Sequence, residues 1–241
     1  METRLDILLV KMNMVESREK AQRLIKEKKI KVNGEIVTKP SKKFDNYAKI
    51  KIIENEKYVS RAAYKLLKAF DSFHINVKDK ICADIGSSTG GFTQVLLEFG
   101  ANKVYAIDSG TNQLHQSLRN NPKIVLMENT NARYLNKKDF DGIEFFTSDV
   151  SFISITKLIN SIRTITISNA EGVVLIKPQF ELEPSKLVKG IVKKEIYRKE
   201  AIIKVEEAFE IAGFKILALT ESPIKGKNGN IEYLLHVKKS D

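Results

Sequence analysis

The aliphatic run Val173-Val174-Leu175-Ile176 stops on Lys177 and Pro178. A charge at the end of so apolar a segment costs several kcal/mol to take out of water unless it is paired or does chemistry. Asp149 ends another apolar segment, "FFTSDV", in the same way, and a third such end opens the turn Asp84-Ile85-Gly86-Ser87-Ser88-Thr89-Gly90-Gly91-Phe92-Thr93. Glycines let backbone approach a ligand closely, and a helix opened by such a turn offers unpaired amides. The turn is a poor dinucleotide fingerprint, because Ser88 stands where glycine is required, and it lacks the Lys-Ser/Thr pair of a phosphate loop. Asp84 at its head would repel a pyrophosphate and welcome the cationic amino-acid end of S-adenosylmethionine. Gly86, Ser87, Ser88, Gly90, Gly91 and Phe92 would then cradle that cofactor. Asp108, followed by Ser109, ends the next apolar strand, where an acid can accept hydrogen bonds from both ribose hydroxyls. Asn131-Ala132 follow the third strand and suit an adenine edge. Asp149 and Lys177, at the fourth and fifth strand ends, would bracket the place where a methyl acceptor lies.

The elements that must position these groups are written in the pattern around them. "KICADIG", "VYAID", "IVLME", "IEFFTSDV", "GVVLIKP", "FKILALT" and "IEYLLHV" alternate with amphipathic stretches. That predicts an α/β, Rossmann-like domain over residues 60–241, with about seven mostly parallel strands covered on both faces. Ligands of such sheets sit outside the carboxyl ends of the strands.

Ahead of it lies a more basic region. The chain has 41 Lys/Arg against 30 Asp/Glu, net +11, and residues 1–60 hold 15 against 9. An excess of this size draws polyanions, nucleic acid first. In "SREKAQRLIKEKKIK", Ser17 is a candidate N-cap and Ala21, Leu24 and Ile25 repeat at helical spacing. Arg18, Lys20, Arg23, Lys26, Lys28, Lys29 and Lys31 occupy the other positions, with Arg4 upstream. Asn33-Gly34 in "KVNGEIV" is a hairpin signal. From "RLDILL" through "KVNGEIVTKP" the segment resembles the small RNA-binding domain first named from ribosomal small-subunit protein four. Lys28-Lys29 stand where that domain often has a glycine. The expected division is a small α+β RNA-binding domain over 1–54, a linker over 55–59 and the α/β domain beyond. Phosphate contacts from the basic residues would supply affinity without sequence choice.

Lys65 in "YVSRAAYKL", Asp149 in "TSDVSFIS", Lys177 in "IKPQFE" and Glu232 in "GNIEYLL" match the Lys-Asp-Lys-Glu tetrad of the RNA ribose 2′-O-methyltransferases related to FtsJ. With "DIGSSTGGFT", "GTNQL" and the basic N-terminal region, residues 2 to 238 resemble the TlyA (hemolysin A) family. The resemblance implies S-adenosylmethionine-dependent 2′-O-methylation of cytidine in ribosomal RNA. Ribosomal RNA or ribosomal subunits would be the partners and the tetrad the catalytic set. The chain starts near "RLDILL" and stops soon after "LLHVKK", like family members restricted to the large subunit, so a large-subunit cytidine is the expected target.

A ribose hydroxyl is a poor nucleophile, so such an enzyme must remove a proton and hold oxygen, carbon and sulfur in line. Lys177 is the candidate base. Burial and Lys65 favour its neutral form, whereas Asp149 and Glu232 favour the charged form, in which it would position and stabilise instead. Two other functions stay open: a ribosome-assembly factor without catalysis, and a membrane-lytic protein. No apolar run is long enough to cross a bilayer and the N-terminus carries no cleavable leader pattern, so no membrane partner and a cytoplasmic location are expected. One cysteine, Cys82, and the scattered His74, His115 and His236 argue against disulfides and against a metal site. The sequence sets no oligomeric state.

Overall fold

The computed structural model describes residues 2–53 and 57–241. The chain divides after Lys57 into two compact units. Asn55 and Glu56 of the expected linker lie outside the described residues.

In the first unit β1 (Glu2–Arg4), α1 (Leu5–Lys11), α2 (Arg18–Lys26), β2 (Ile30–Val32), β3 (Glu35–Ile36), β4 (Lys43–Asp45) and β5 (Ile50–Ile52) follow one another. Ser17 caps α2, its hydroxyl accepting from the Lys20 amide at 3.2 Å. Ala21, Leu24 and Ile25 are buried with Leu5 and Leu9, and each buried Leu or Ile contributes about 1.5–3 kcal/mol. At the end of α2, Lys28 takes the left-handed conformation, φ 61°, in the place where the resembling domain has glycine. The β2–β3 turn puts Asn33 at φ 51° and Gly34 at φ 91°, the two positive values that a type I′ hairpin needs.

Asp6 is fully buried and accepts hydrogen bonds from Arg4, Arg18 and Gln22. The Arg4 guanidinium beside it, with the other two donors, holds its carboxyl well below the usual range. Arg4 and Arg18 therefore commit part of their donor fork to Asp6, a role the sequence reading did not foresee. Lys20 pairs with Glu16 and Lys29 with Glu27, while Lys26 and Lys28 are exposed.

The second unit contains α3 (Ala62–Phe73), β6 (Ile81–Ile85), α4 (Gly91–Glu98), β7 (Lys103–Ile107), α5 (Gln116–Arg119), β8 (Ile124–Met127), β9 (Ile143–Ser148), α6 (Ile159–Ile165), β10 (Thr166–Ile176), α7 (Pro178–Glu181), α8 (Glu195–Ile211), β11 (Phe214–Glu221) and β12 (Tyr233–Lys239). Seven strands form one sheet in the order β11-β12-β10-β9-β6-β7-β8, and only β12 runs against the rest. Strand residues alternate between two cores. Ile85, Phe146, Val174 and Ile176 join the core under α6 and α8. Cys82, Phe145, Val173, Leu175 and Leu234 join the core under α3 and α4. The side-chain period of two then aims Asp149, Lys177 and Glu232, each an even step from Phe145, Leu175 and Leu234, toward the face that α3 covers.

Candidate active site

Lys65 leaves the buried stripe of α3 and lies within 2.8 Å of Glu232 Oε2 and 3.4 Å of Asp149 Oδ2. Lys177 Nζ stands 2.6 Å from Asp149 Oδ1 and donates to Ser151 Oγ at 2.7 Å. The four side chains thus form one alternating line, Glu232–Lys65–Asp149–Lys177, with Asp149 shared between two ammonium groups. Relative exposures of 9% for Lys65, 7% for Lys177 and 2% for Glu232 keep water from screening it. Glu232 is seated against Gly226, where any Cβ would collide with the carboxylate. The Glu232 position requires that close approach of backbone, which only glycine permits.

Asp149, Ser151 and Lys177 lie at one edge of the sheet with the glycine-rich turn. Two cavities open there. The larger, about 430 Å³, is lined by Gly86, Ser88, Asp108, Ser109, Asn131, Ala132 and Asp149 from the expected set. The smaller, about 180 Å³, is lined by Gly86, Ser87, Ser88, Gly91, Phe92, Asp149 and Lys177, together with Ser60 and Ala62. The larger falls in the range of sites that hold a small ligand. Asp108 accepts the Ser88 amide on Oδ2 at 2.8 Å and the Gly110 amide on Oδ1 at 2.7 Å, which leaves lone pairs for further donors. The Ser87 hydroxyl is buried without a hydrogen-bond partner among the described residues. Ile107, Val150 and Leu158 supply apolar wall. An adenosine with a charged amino-acid arm fits this mixture of paired acid, free donor and apolar surface. Asn131 caps a short turn through its own Oδ1, bound by the Arg133 amide at 3.1 Å.

Asp84 and Gly90 line neither cavity. The Asp84 side chain is 1% exposed and accepts from Thr93 Oγ1 at 2.6 Å and Thr147 Oγ1 at 3.0 Å, so it ties the turn to β9 from beneath. Burial pushes its carboxyl up to about 6, reinforced by the Asp149 charge and opposed by the two hydroxyls. The folded chain then holds this proton at a pH where the unfolded chain has released it. Stability from this group is greatest below about pH 4 and falls as pH rises to about 6, by about 3 kcal/mol in all. Asp84→Asn should remove that fall. Denaturant unfolding of both proteins between pH 4 and 7 checks it, and parallel curves would exclude it.

Ser151 and Phe152, one turn beyond Asp149, were not among the expected residues. Phe152 is 87% exposed with φ 64°, a left-handed conformation that costs a bulky residue about 1–3 kcal/mol. Its ring meets Phe180 at 5.4 Å. The loop is held from behind by buried Glu181, which accepts from Ser154 Oγ and, at 2.9 Å, from the Ile155 amide. The signal was present in "SDVSFIS" and "KPQFE", but nothing in one sequence says that these two loops touch.

The FtsJ-like methyltransferase family matches residues 58–239, and the S4 domain matches residues 3–45. Hemolysin A of Brachyspira hyodysenteriae is 47% identical over 237 residues, 97% of this chain and 98% of that one. The 16S/23S rRNA (cytidine-2′-O)-methyltransferase TlyA of Mycobacterium tuberculosis is 34% identical, with 98% and 89% covered.

The chain belongs to the TlyA family.

A further TlyA, the 23S rRNA (cytidine-2′-O)-methyltransferase of Campylobacter jejuni, is 44% identical over 77% of this chain and 73% of its own. The family carries an FtsJ-like methyltransferase fold, and its methyl donor is S-adenosylmethionine. In this TlyA-family chain Gly86, Ser88, Asp108, Ser109, Asn131 and Ala132 would hold that donor, by their place on the larger cavity. No helix among the described residues is long and apolar enough to cross a membrane.

Proposed function

We propose that this protein methylates the 2′-hydroxyl of a cytidine in ribosomal RNA, on the large subunit first, in the cytoplasm. The alternating line Glu232–Lys65–Asp149–Lys177 beside the cavities carries the reading. The TlyA relatives of Mycobacterium tuberculosis and Campylobacter jejuni both act on 23S rRNA.

S-adenosylmethionine supplies a methyl group already activated on a sulfonium. The protein's own task is to place the ribose oxygen and remove its proton. Lys177 takes that proton on Nζ after its ammonium has first released one to solvent. Asp149 tolerates the loss of one cationic neighbour because Lys65 stays beside it, 3.4 Å away, and Lys65 is itself fixed by Glu232. Ser151 aims the Lys177 amine through their 2.7 Å contact. Phe152 offers an exposed aromatic face at the rim, suited to a base turned out of its stack. The S4 unit adds phosphate contacts through Lys26, Lys28 and their basic neighbours.

Purified protein with tritiated S-adenosylmethionine and separated ribosomal subunits should label large-subunit RNA, and mass spectrometry should place the methyl on a cytidine ribose. Binding to subunits without label would favour an assembly factor, and label on small-subunit RNA alone would overturn the subunit assignment.

A further inference from the structure

Between α7 and α8 the chain makes a short hairpin that the reaction does not use. Val188 and Ile191 exchange both backbone hydrogen bonds, 2.9 and 3.1 Å, around a tight two-residue turn of Lys189 and Gly190. The hairpin is braced from two sides. Asn230, 2% exposed, donates from Nδ2 to the Gly190 carbonyl at 2.9 Å and accepts the Val192 amide at 3.0 Å. Arg198 of α8 donates to the Lys193 carbonyl at 2.8 Å. Asn230 lies two residues before Glu232 and three before β12, whose first residue, Tyr233, pairs with Ile176 at the site end of β10. The tip is thereby fixed at the sheet edge that carries the tetrad.

Its charge is one-sided. Residues 183–199 hold six Lys/Arg and two Glu. Lys186 is neutralised by Glu200, Lys199 by Glu195, and Lys194 lies over the Tyr197 ring. Lys189 and Lys193 are exposed and make no ion pair among the described residues. Lysines on an exposed face usually just meet water. Here the backbone beneath them is immobilised by a buried amide and a guanidinium, so little backbone ordering entropy remains to be lost when they meet an anion.

We infer that the Val188–Lys194 segment is a basic tongue through which the methyltransferase unit grips RNA phosphates next to the target nucleotide, with Lys189 and Lys193 as its contacts. The inference rests on the ribosomal RNA reading above and names a second RNA-binding surface for it, apart from the S4 unit. The tongue contributes affinity and register and takes no part in proton transfer.

The test is full-length Lys189→Glu/Lys193→Glu, measured for equilibrium binding to large-subunit ribosomal RNA across a salt series. S-adenosylmethionine binding and the thermal midpoint serve as checks on the fold. A matched control, Lys137→Glu/Lys138→Glu, makes the same change of net charge on exposed lysines at the opposite end of the sheet, near Lys239 and Thr166. The tongue variant should bind RNA about tenfold or more weakly at about 0.15 M salt, with the slope of log affinity against log salt reduced by about 2. It should keep parental cofactor binding, and the control should stay within roughly threefold of the parent. A parental salt slope in the tongue variant, or an equal loss in the control, overturns the inference. If the parent transfers no methyl to ribosomal RNA, the function proposed above fails, while the binding comparison still decides the tongue.

Discussion

Lys177→Ala should lower single-turnover methyl transfer to ribosomal RNA by about a thousandfold, the middle of the range that a positioned proton acceptor contributes. S-adenosylmethionine binding should stay within about twofold of the parent, since a side chain absent from a ligand's cavity adds little to its affinity. Lys177 lines the smaller cavity and not the larger one. Lys177→Arg separates the two roles open to this amine. A guanidinium can hold a charge beside Asp149 and Ser151, but it cannot be deprotonated in a protein. The arginine variant should therefore be as inactive as the alanine one. Calorimetry for the donor and tritium transfer for the reaction check both, and a folded Lys177→Ala with parental turnover removes the base from the scheme.

Lys65→Met should be the most destabilising change in the tetrad. It leaves Glu232, 2% exposed, without its 2.8 Å cation, and stranding one partner of a buried pair costs about 3–5 kcal/mol. Asp149 keeps Lys177 at 2.6 Å, so the loss concentrates on Glu232. The thermal midpoint of the methyltransferase unit should fall by on the order of 10 °C. Adding Glu232→Gln should restore part of that stability, because the leftover charge is gone, while methyl transfer stays low in both variants. Unfolding curves for the two singles and the double give the coupling directly. Additive losses would mean that the pair is not the buried unit described here.

Much of the fold was legible because each strand carries its own signal. "KICADIG", "VYAID" and "GVVLIKP" are aliphatic runs of strand length between helical segments, and they emerge as β6, β7 and β10 in a mostly parallel sheet. Ser17 and Asn33-Gly34 are equally local, since a cap and a tight turn depend on a few consecutive residues. Asp84 shows the limit of such local signals. An acid at the head of a glycine-rich turn looks ligand-facing in a string of letters, and only the placement of Thr93 and Thr147 showed where its oxygens go. Arg4 and Arg18 are alike in this, because their tie to Asp6 joins residues that no spacing rule connects.

The amino-acid order by itself determined which residues end the strands, the basic character of the N-terminal unit and the identity of the four polar groups proposed as the reaction centre. Those properties follow from period, composition and motif, all of which act over short stretches of chain. The tertiary structure alone decided that Asp149 is shared by two lysines, that Ser151 aims one of them, and that Gly226 makes room for Glu232. Each of these depends on strands and loops distant in sequence meeting within 3–4 Å, and such meetings are set by the pairing register and by the packing of α3 on the sheet.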